Sequence, residues 1–206
     1  FGAGDETEKL YRQWVSGNAF GIFGLQPALG RLLMPDDDLT PGAHPVAVLS
    51  YNYWTRRFGR DPGVLGKTFR IRQIGAGNMG NDRLEIVGVA PQGFTGTEPG
   101  EVTDVFLPAM INAGAINNPG WLDFRIWVRP HPGVSPEQVR QSLQAAFTHE
   151  HRERLKEFHS DTPSRVIDAF LKEEVLLLPA AAGAGRLQKQ YRRPLVILSL
   201  LVVLVL

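Results

Sequence analysis

The sequence contains no cysteine. That absence excludes a disulfide framework, a thiolate zinc site and a cysteine nucleophile, while leaving the cellular compartment open. An excess of charge of one sign is also missing, since 22 Lys and Arg stand against 21 Asp and Glu for a formal net charge of +1. Acidic residues stop at Glu174, and Arg186, Lys189, Arg192 and Arg193 follow, so the body before them is acidic by about three charges. That balance, without an aromatic stacking motif, argues against a nucleic-acid partner. A starting methionine and a signal peptide are lacking too. The chain opens at Phe1 and stops inside an apolar run, which reads as a piece of a larger protein.

The motifs of catalysis are equally scarce. No GxxxxGK[ST] loop is present, and no serine, histidine and acid fall in a nucleophile elbow or another ordered motif. Asp36, Asp37 and Asp38 invite a metal reading, but calcium loops alternate their ligands around a glycine turn and add a later Glu. A solvated loop or helix start is expected there. His149, Glu150, His151, Glu153 and His159 do not keep the four-residue spacing with an adjacent Glu that helical zinc sites use, so they read as a charged solvent face. No catalytic, metal or cofactor residue is assigned. Gly75, Gly77 and Gly80 do spell GxGxxG after an expected strand, which would suit an NAD(P)-dependent oxidoreductase. A dinucleotide loop must open a helix, however, and residues 81–89 read as a strand, with Glu98 and Glu101 not placed to end a second one. A hairpin is the preferred reading, with the oxidoreductase kept as the alternative.

What is present is ordinary globular composition, 43% hydrophobic and 21% charged, enough for one core or two small lobes. The densest signals lie in residues 44–91. Val46 to Leu49 form a short apolar strand, and Ser50 then caps a helix with Tyr51, Trp54, Thr55 and Phe58 on one face and Gly59 as its terminal glycine. Trp54 is expected in the core. Asp61, Pro62 and Gly66 mark one further turn, and Phe69 and Ile71 alternate in a strand that pairs with 84–89. Before this module, residues 10–15 read as a strand and Asn18 caps a short helix ended by Gly24. After it come a strand at 105–108, a loop over 112–120, a strand at 124–128 and a helix from Ser135, with Pro136 at its first position and Gln138 completing a capping box. Val139, Leu143, Ala146 and Phe147 form its apolar stripe. Residues 175–178 read as a last strand.

The carboxyl-terminal stretch carries the strongest functional signal. From Leu195 to Leu206 only Ser199 interrupts aliphatic residues, and at 1.5 Å per residue the twelve span about 18 Å. A bilayer core needs about 30 Å, and a core helix should show a polar face, so the run reads as the start of a transmembrane helix. Tyr191, Arg192, Arg193 and Pro194 then mark the membrane entry. Trp121, in a Gly/Pro loop, is the candidate partner contact.

Residues 15–38 (VSGNAFGIFGLQPALGRLLMPDDD), 42–71 (GAHPVAVLSYNYWTRRFGRDPGVLGKTFRI), 86–98 (IVGVAPQGFTGTE), the PGVS helix start at 132–135 and RRPLVIL at 192–198 together resemble the MacB-like periplasmic core domain. Within it they are most similar to the duplicated FtsX-like permeases described from acidobacteria. The hairpin around IGAGNMGND is longer than usual in that family, and His131 stands where a lysine is common. The resemblance implies an α+β, two-lobed extracytoplasmic domain: a porter-like lobe from residues 1–43 and 122–180, an inserted strand–helix–hairpin lobe over 44–121, a hinge at 181–194, and the start of a membrane helix at 195–206. It also implies a non-catalytic module of an ABC-type permease in the bacterial inner membrane, coupling helix motion to export or to mechanotransmission. The implied partners are an ABC ATPase, a second permease half or protomer, a periplasmic adaptor and the lipid bilayer. A membrane-anchored scaffold or sensor without an ATPase is the remaining alternative.

Overall fold

In a computed structural model the described residues are 8–71, 83–98, 100–116, 125–156, 158–159 and 162–180. They form a mixed α/β arrangement that divides into two compact units between Trp127 and Val128.

The first unit is built on one sheet. Its strands are β1 (Arg12–Val15), β2 (Leu29–Gly30), β3 (Val46–Leu49), β4 (Thr68–Arg70), β5 (Arg83–Val89) and β6 (Val105–Pro108), in the order β1-β6-β3-β5-β2 with β4 also on β5. β1 runs parallel to β6 and β3 parallel to β5, whereas β3 and β6, β2 and β5, and β4 and β5 are antiparallel. Strands from residues 1–43 and from 44–121 thus share a single sheet.

Strand β3 is apolar throughout because both faces of the sheet are covered. Ala47 and Leu49 point to one side, where Tyr53 and Trp54 of helix α2 (Tyr51–Phe58), Val64, Phe69, Leu84, Ile86, Val105 and Leu107 pack. Val48 points to the other, against Phe106, Leu32, Leu33 and Phe20 of helix α1 (Ala19–Phe23). The β3–β5 register shifts between Ala47 and Val48, whose partners are Ile86 and Gly88. This bulge lets Val89 return to the side of Leu84 and Ile86. At Gly88 a Cβ atom would lie 1.9 Å from the Arg31 carbonyl oxygen, so only glycine admits the chain that follows β2.

Helix α2 is stopped at both ends as its sequence predicts. Ser50 Oγ accepts the Tyr53 N–H at 3.2 Å, and Gly59 adopts a left-handed φ of 55°. Its inner face differs from the expected one. Tyr53 and Trp54 are buried, Tyr51 and Phe58 are half-buried and Thr55 is exposed. The turn at Pro62–Val64 forms as expected, with Asp61 accepting the Gly63 N–H. Gly24 ends α1 in the left-handed region, but Asn18 makes no side-chain cap.

Two expected features of this unit are replaced. Residues 109–116 hold a 3-10 turn (Ala109–Asn112) and a short helix α3 (Ala113–Ile116) instead of starting a loop at 112. Residues 125–128 are not in a strand, and 121–124 lie outside the described residues. The GxGxxG run, Gly75 to Gly80, also lies outside them. The strands on either side of it, β4 and β5, are antiparallel partners, whereas a dinucleotide loop joins a strand to a helix.

The described part of the second unit holds α4 (Pro136–Leu155), α5 (Ser164–Leu171) and irregular chain before α4 and on to residue 180. The capping box at the start of α4 is complete, with Ser135 Oγ accepting from Gln138 N and Gln138 Oε1 accepting from Ser135 N. Arg140 and Gln141 bond to Glu137 in its first turn and hold that carboxyl low, at about 2. α5 forms without a side-chain cap at Pro163. Residues 175–178, expected as a strand, carry no regular secondary structure; Gln144 holds the segment, accepting the Val175 N–H at 2.7 Å. His151, expected on a solvent face, is buried.

Candidate functional site

Among the described residues strand β1 has a ladder partner on one side only, so its position depends on what fixes its ends. Two carboxylates fix the entry end. Asp104, 1% exposed and just before β6, accepts the Tyr11 N–H on Oδ2 at 3.0 Å and Arg56 Nη2 of α2 on Oδ1 at 2.9 Å. Its own N–H donates to the Tyr11 carbonyl, and its carbonyl accepts from the N–H of Ser50, the α2 cap. One residue therefore joins β1, β6 and the start of α2. Glu8 repeats the attachment upstream, with Oε2 accepting from the Tyr53 hydroxyl at 3.2 Å and Arg57 Nε at 3.1 Å. Burial, followed by the charge of Glu8, raises the Tyr53 hydroxyl far above its ordinary value and keeps it a donor.

The strand itself and the chain beyond it are held in the same way. Gln13 exchanges two bonds with Thr97, through its amide nitrogen to the hydroxyl and its oxygen to the backbone N–H. Beyond β1, Asp38 accepts the Gly17 N–H at 3.1 Å and the Met110 N–H at 2.7 Å, tying the chain after β1 to the chain after β6. Its neighbour Asp37 is buried and grips Arg31 through both oxygens, at 2.6 and 2.9 Å, while accepting the Met34 N–H. Burial pushes this carboxyl up, but the Arg31 and Met34 bonds outweigh it and hold it below the usual carboxylate range.

The three consecutive aspartates lie in a 3-10 turn (Pro35–Asp38), the helix start expected of them, but they are not solvated together. Asp36 alone is exposed, and both oxygens of each of the other two accept from N–H donors. Among the described residues no group of three or more His, Asp or Glu could hold a metal ion. Ser50, the buried serine, serves as a helix cap. The chemistry of this arrangement is mechanical: carboxylates and a glutamine fasten an edge strand to a helix and to the core strand beside it.

The membrane-entry residues Tyr191, Arg192, Arg193 and Pro194 and the partner contact Trp121 lie outside the described residues, as does the apolar run 195–206. Among the described residues no helix is long and apolar enough to cross a membrane. The anchorage of β1 has no signal in the sequence, because Glu8 and Asp104 reach partners 45 to 49 and 48 to 93 positions away.

The family described as MacB-like periplasmic core domain matches residues 2–146. No curated protein matches the chain. The periplasmic region of MacB from Actinobacillus actinomycetemcomitans is similar with a TM-score of 0.46 at 18% identity, over 80% of this chain and 66% of that one, just under two thirds of its length. A domain assigned to a permease protein from Porphyromonas gingivalis gives a TM-score of 0.46 at 19% identity, over 83% of this chain and 76% of that one.

Proposed function

Because the chain belongs to the family of MacB-like periplasmic core domains, we propose that it is the extracytoplasmic module of an ABC-type permease in the bacterial inner membrane. It has no catalytic step of its own and transmits the motion of membrane helices to export or to a partner protein. The family match over residues 2–146 carries this reading. The anchorage of β1 supports it physically. Force arriving through residues 8–11 meets Glu8 and Asp104 before it reaches the β1–β6 ladder. Hydrogen bonds to charged groups contribute about 1.5–3 kcal/mol each, so the entry segment moves α2 and the sheet together before it peels away.

The partners of such a module are an ABC ATPase, a second permease half or protomer, and a periplasmic adaptor. The apolar run 195–206 would enter the bilayer behind Tyr191, Arg192, Arg193 and Pro194, with Trp121 offered to a partner. The full-length protein tests this directly. Protease added outside spheroplasts should cut within this domain, and an ABC ATPase should co-purify with the protein from detergent extracts. Cleavage only after the inner membrane is opened would overturn the extracytoplasmic placement. Outside cleavage without any ATPase would instead identify a membrane-anchored scaffold.

A further inference from the structure

Two consecutive residues of the loop between β5 and β6 bond to two separate parts of the chain. Thr97 exchanges two hydrogen bonds with Gln13 of β1, and Glu98 pairs with Arg125. The first contact belongs to the anchorage of β1. The second reaches the chain where it leaves the first unit, since Trp127 is followed by Val128, the start of the second. Trp127 packs edge-on against Phe23 of α1 with 5.4 Å between ring centroids, and Phe23 leans on Phe94 of the same loop at 6.1 Å. Ile126 lies between these two feet and is 80% exposed, so Arg125 and Trp127 carry the attachment.

The loop is shaped to hold both ends at once. Phe94 seats it on Phe106 of β6, with 5.4 Å between centroids. Gly96 lets it close on β1: its φ is 116°, and a Cβ atom there would lie 2.8 Å from both Gln13 Oε1 and Thr103 Oγ1, so only glycine admits that approach. Glu98 is the sensitive member. Among the described residues its Oε2 atom is buried without a hydrogen-bond partner, so the carboxylate depends on Arg125, and removing Arg125 leaves a half-buried charge unpaired. We propose that residues 94–98 are a mechanical relay: a displacement of β1 reaches Thr97 through Gln13, and Glu98 passes it to Arg125 and so to the chain that enters the second unit. The relay rests on the transmitting role proposed above for its purpose, but its links are contacts within the first unit and are tested there.

Coupling between two ends of a contact chain is reciprocal, so loosening the exit must loosen β1. Hydrogen exchange of the β1 amides in the full chain reads this, expressed relative to the β5 amides so that a change in overall stability cancels. Arg125→Ala should lower the relative protection of β1 severalfold, although Arg125 makes its bond to Glu98 and not to β1. Gln13→Ala should lower it as well, and in that background Arg125→Ala should add no further loss, because the link is already cut. Asp61→Ala, which removes a turn cap outside this network, should leave the ratio at its wild-type value. If Arg125→Ala does not fold, Glu98→Leu, which strands no buried charge, replaces it in the same cycle. An unchanged ratio in the exit variant, or the same loss from it with and without Gln13, overturns the relay. Neither result touches the extracytoplasmic placement or the ATPase partner, which protease accessibility and co-purification decide separately.

Discussion

Asp37 and Asp104 show how much one carboxylate can fasten once it leaves water. Asp37 is held below the ordinary carboxylate range in the folded chain, against the push of burial, by Arg31 and the Met34 N–H. A carboxyl lower in the folded than in the unfolded chain contributes stability that is complete above its unfolded value and is lost as pH falls through its folded value. Asp37→Asn should therefore cost about 1–3 kcal/mol at pH 7 and flatten the loss of stability on acidification below about pH 4. Urea titrations at pH 7 and pH 3 measure both effects; an unchanged difference between the two pH values would show that the Arg31 pair is not what acid breaks. Asp104 makes the complementary case, because its Arg56 partner is more than half exposed and can be rehydrated. Asp104→Ala should be dominated by the orphaned Tyr11 N–H and cost about 1–3 kcal/mol, while Asp104→Asn keeps an acceptor for that N–H and should cost less. None of this is legible in a run of three aspartates, since residue type gives the charge and only the fold supplies Met110, Gly17 and Arg31. His151 escapes sequence reading for the same reason: its burial depends on Phe170 and Glu173, in a helix and a segment that no local signal announces.

Elements with local signals lie where their residues place them. Ser50 and Gly59 bound α2, Ser135 and Gln138 start α4, and the apolar runs at 46–49 and 105–108 are strands, because caps and alternation act within a few residues. Ser50→Ala should lower stability by about 1 kcal/mol, as a lost cap does, and the thermal midpoint of the purified chain reads it. Elements without such signals are not legible in this way. The strands expected at 124–128 and 175–178 lack a neighbouring ladder at 125–128 and 175–178, and an apolar segment without a pairing partner gains no ladder bonds. Helix α5 has no polar cap to announce it. Periodicity alone gives α2 an inner face of Tyr51, Trp54, Thr55 and Phe58, whereas the bond from the Tyr53 hydroxyl to Glu8 lets a polar-tipped residue lie inward. Gly88 belongs here too, since nothing in IVGVAP says that another backbone crosses it. Gly88→Ala would drive a Cβ into the Arg31 carbonyl and should destabilise by about 1–3 kcal/mol through forced backbone shifts. An equal thermal midpoint for variant and wild type would mean that the β2–β5 contact relaxes freely.

At the scale of the whole molecule the two units differ in what holds them. The first buries large apolar side chains on both faces of a sheet, among them Leu49, Phe106, Leu84, Ile86 and Leu107, and each fully buried residue of this kind contributes about 1.5–3 kcal/mol. In the second, Leu143, Phe147, Phe158, Ile167 and Phe170 are only half-buried, and His151 with Glu173 and Gln144 supplies much of the specific contact between α4 and the chain beyond α5. A unit with so little buried surface opens by itself at lower free energy than one closed around a sheet. Limited trypsin digestion of the folded chain should therefore cut within residues 136–172 before it cuts within 46–108, at a rate at least about tenfold higher, which a difference of about 1.4 kcal/mol in opening free energy suffices to produce. Mass spectrometry of the early fragments locates the cuts. Equal cleavage rates in both regions would mean that the chain unfolds as a single cooperative body.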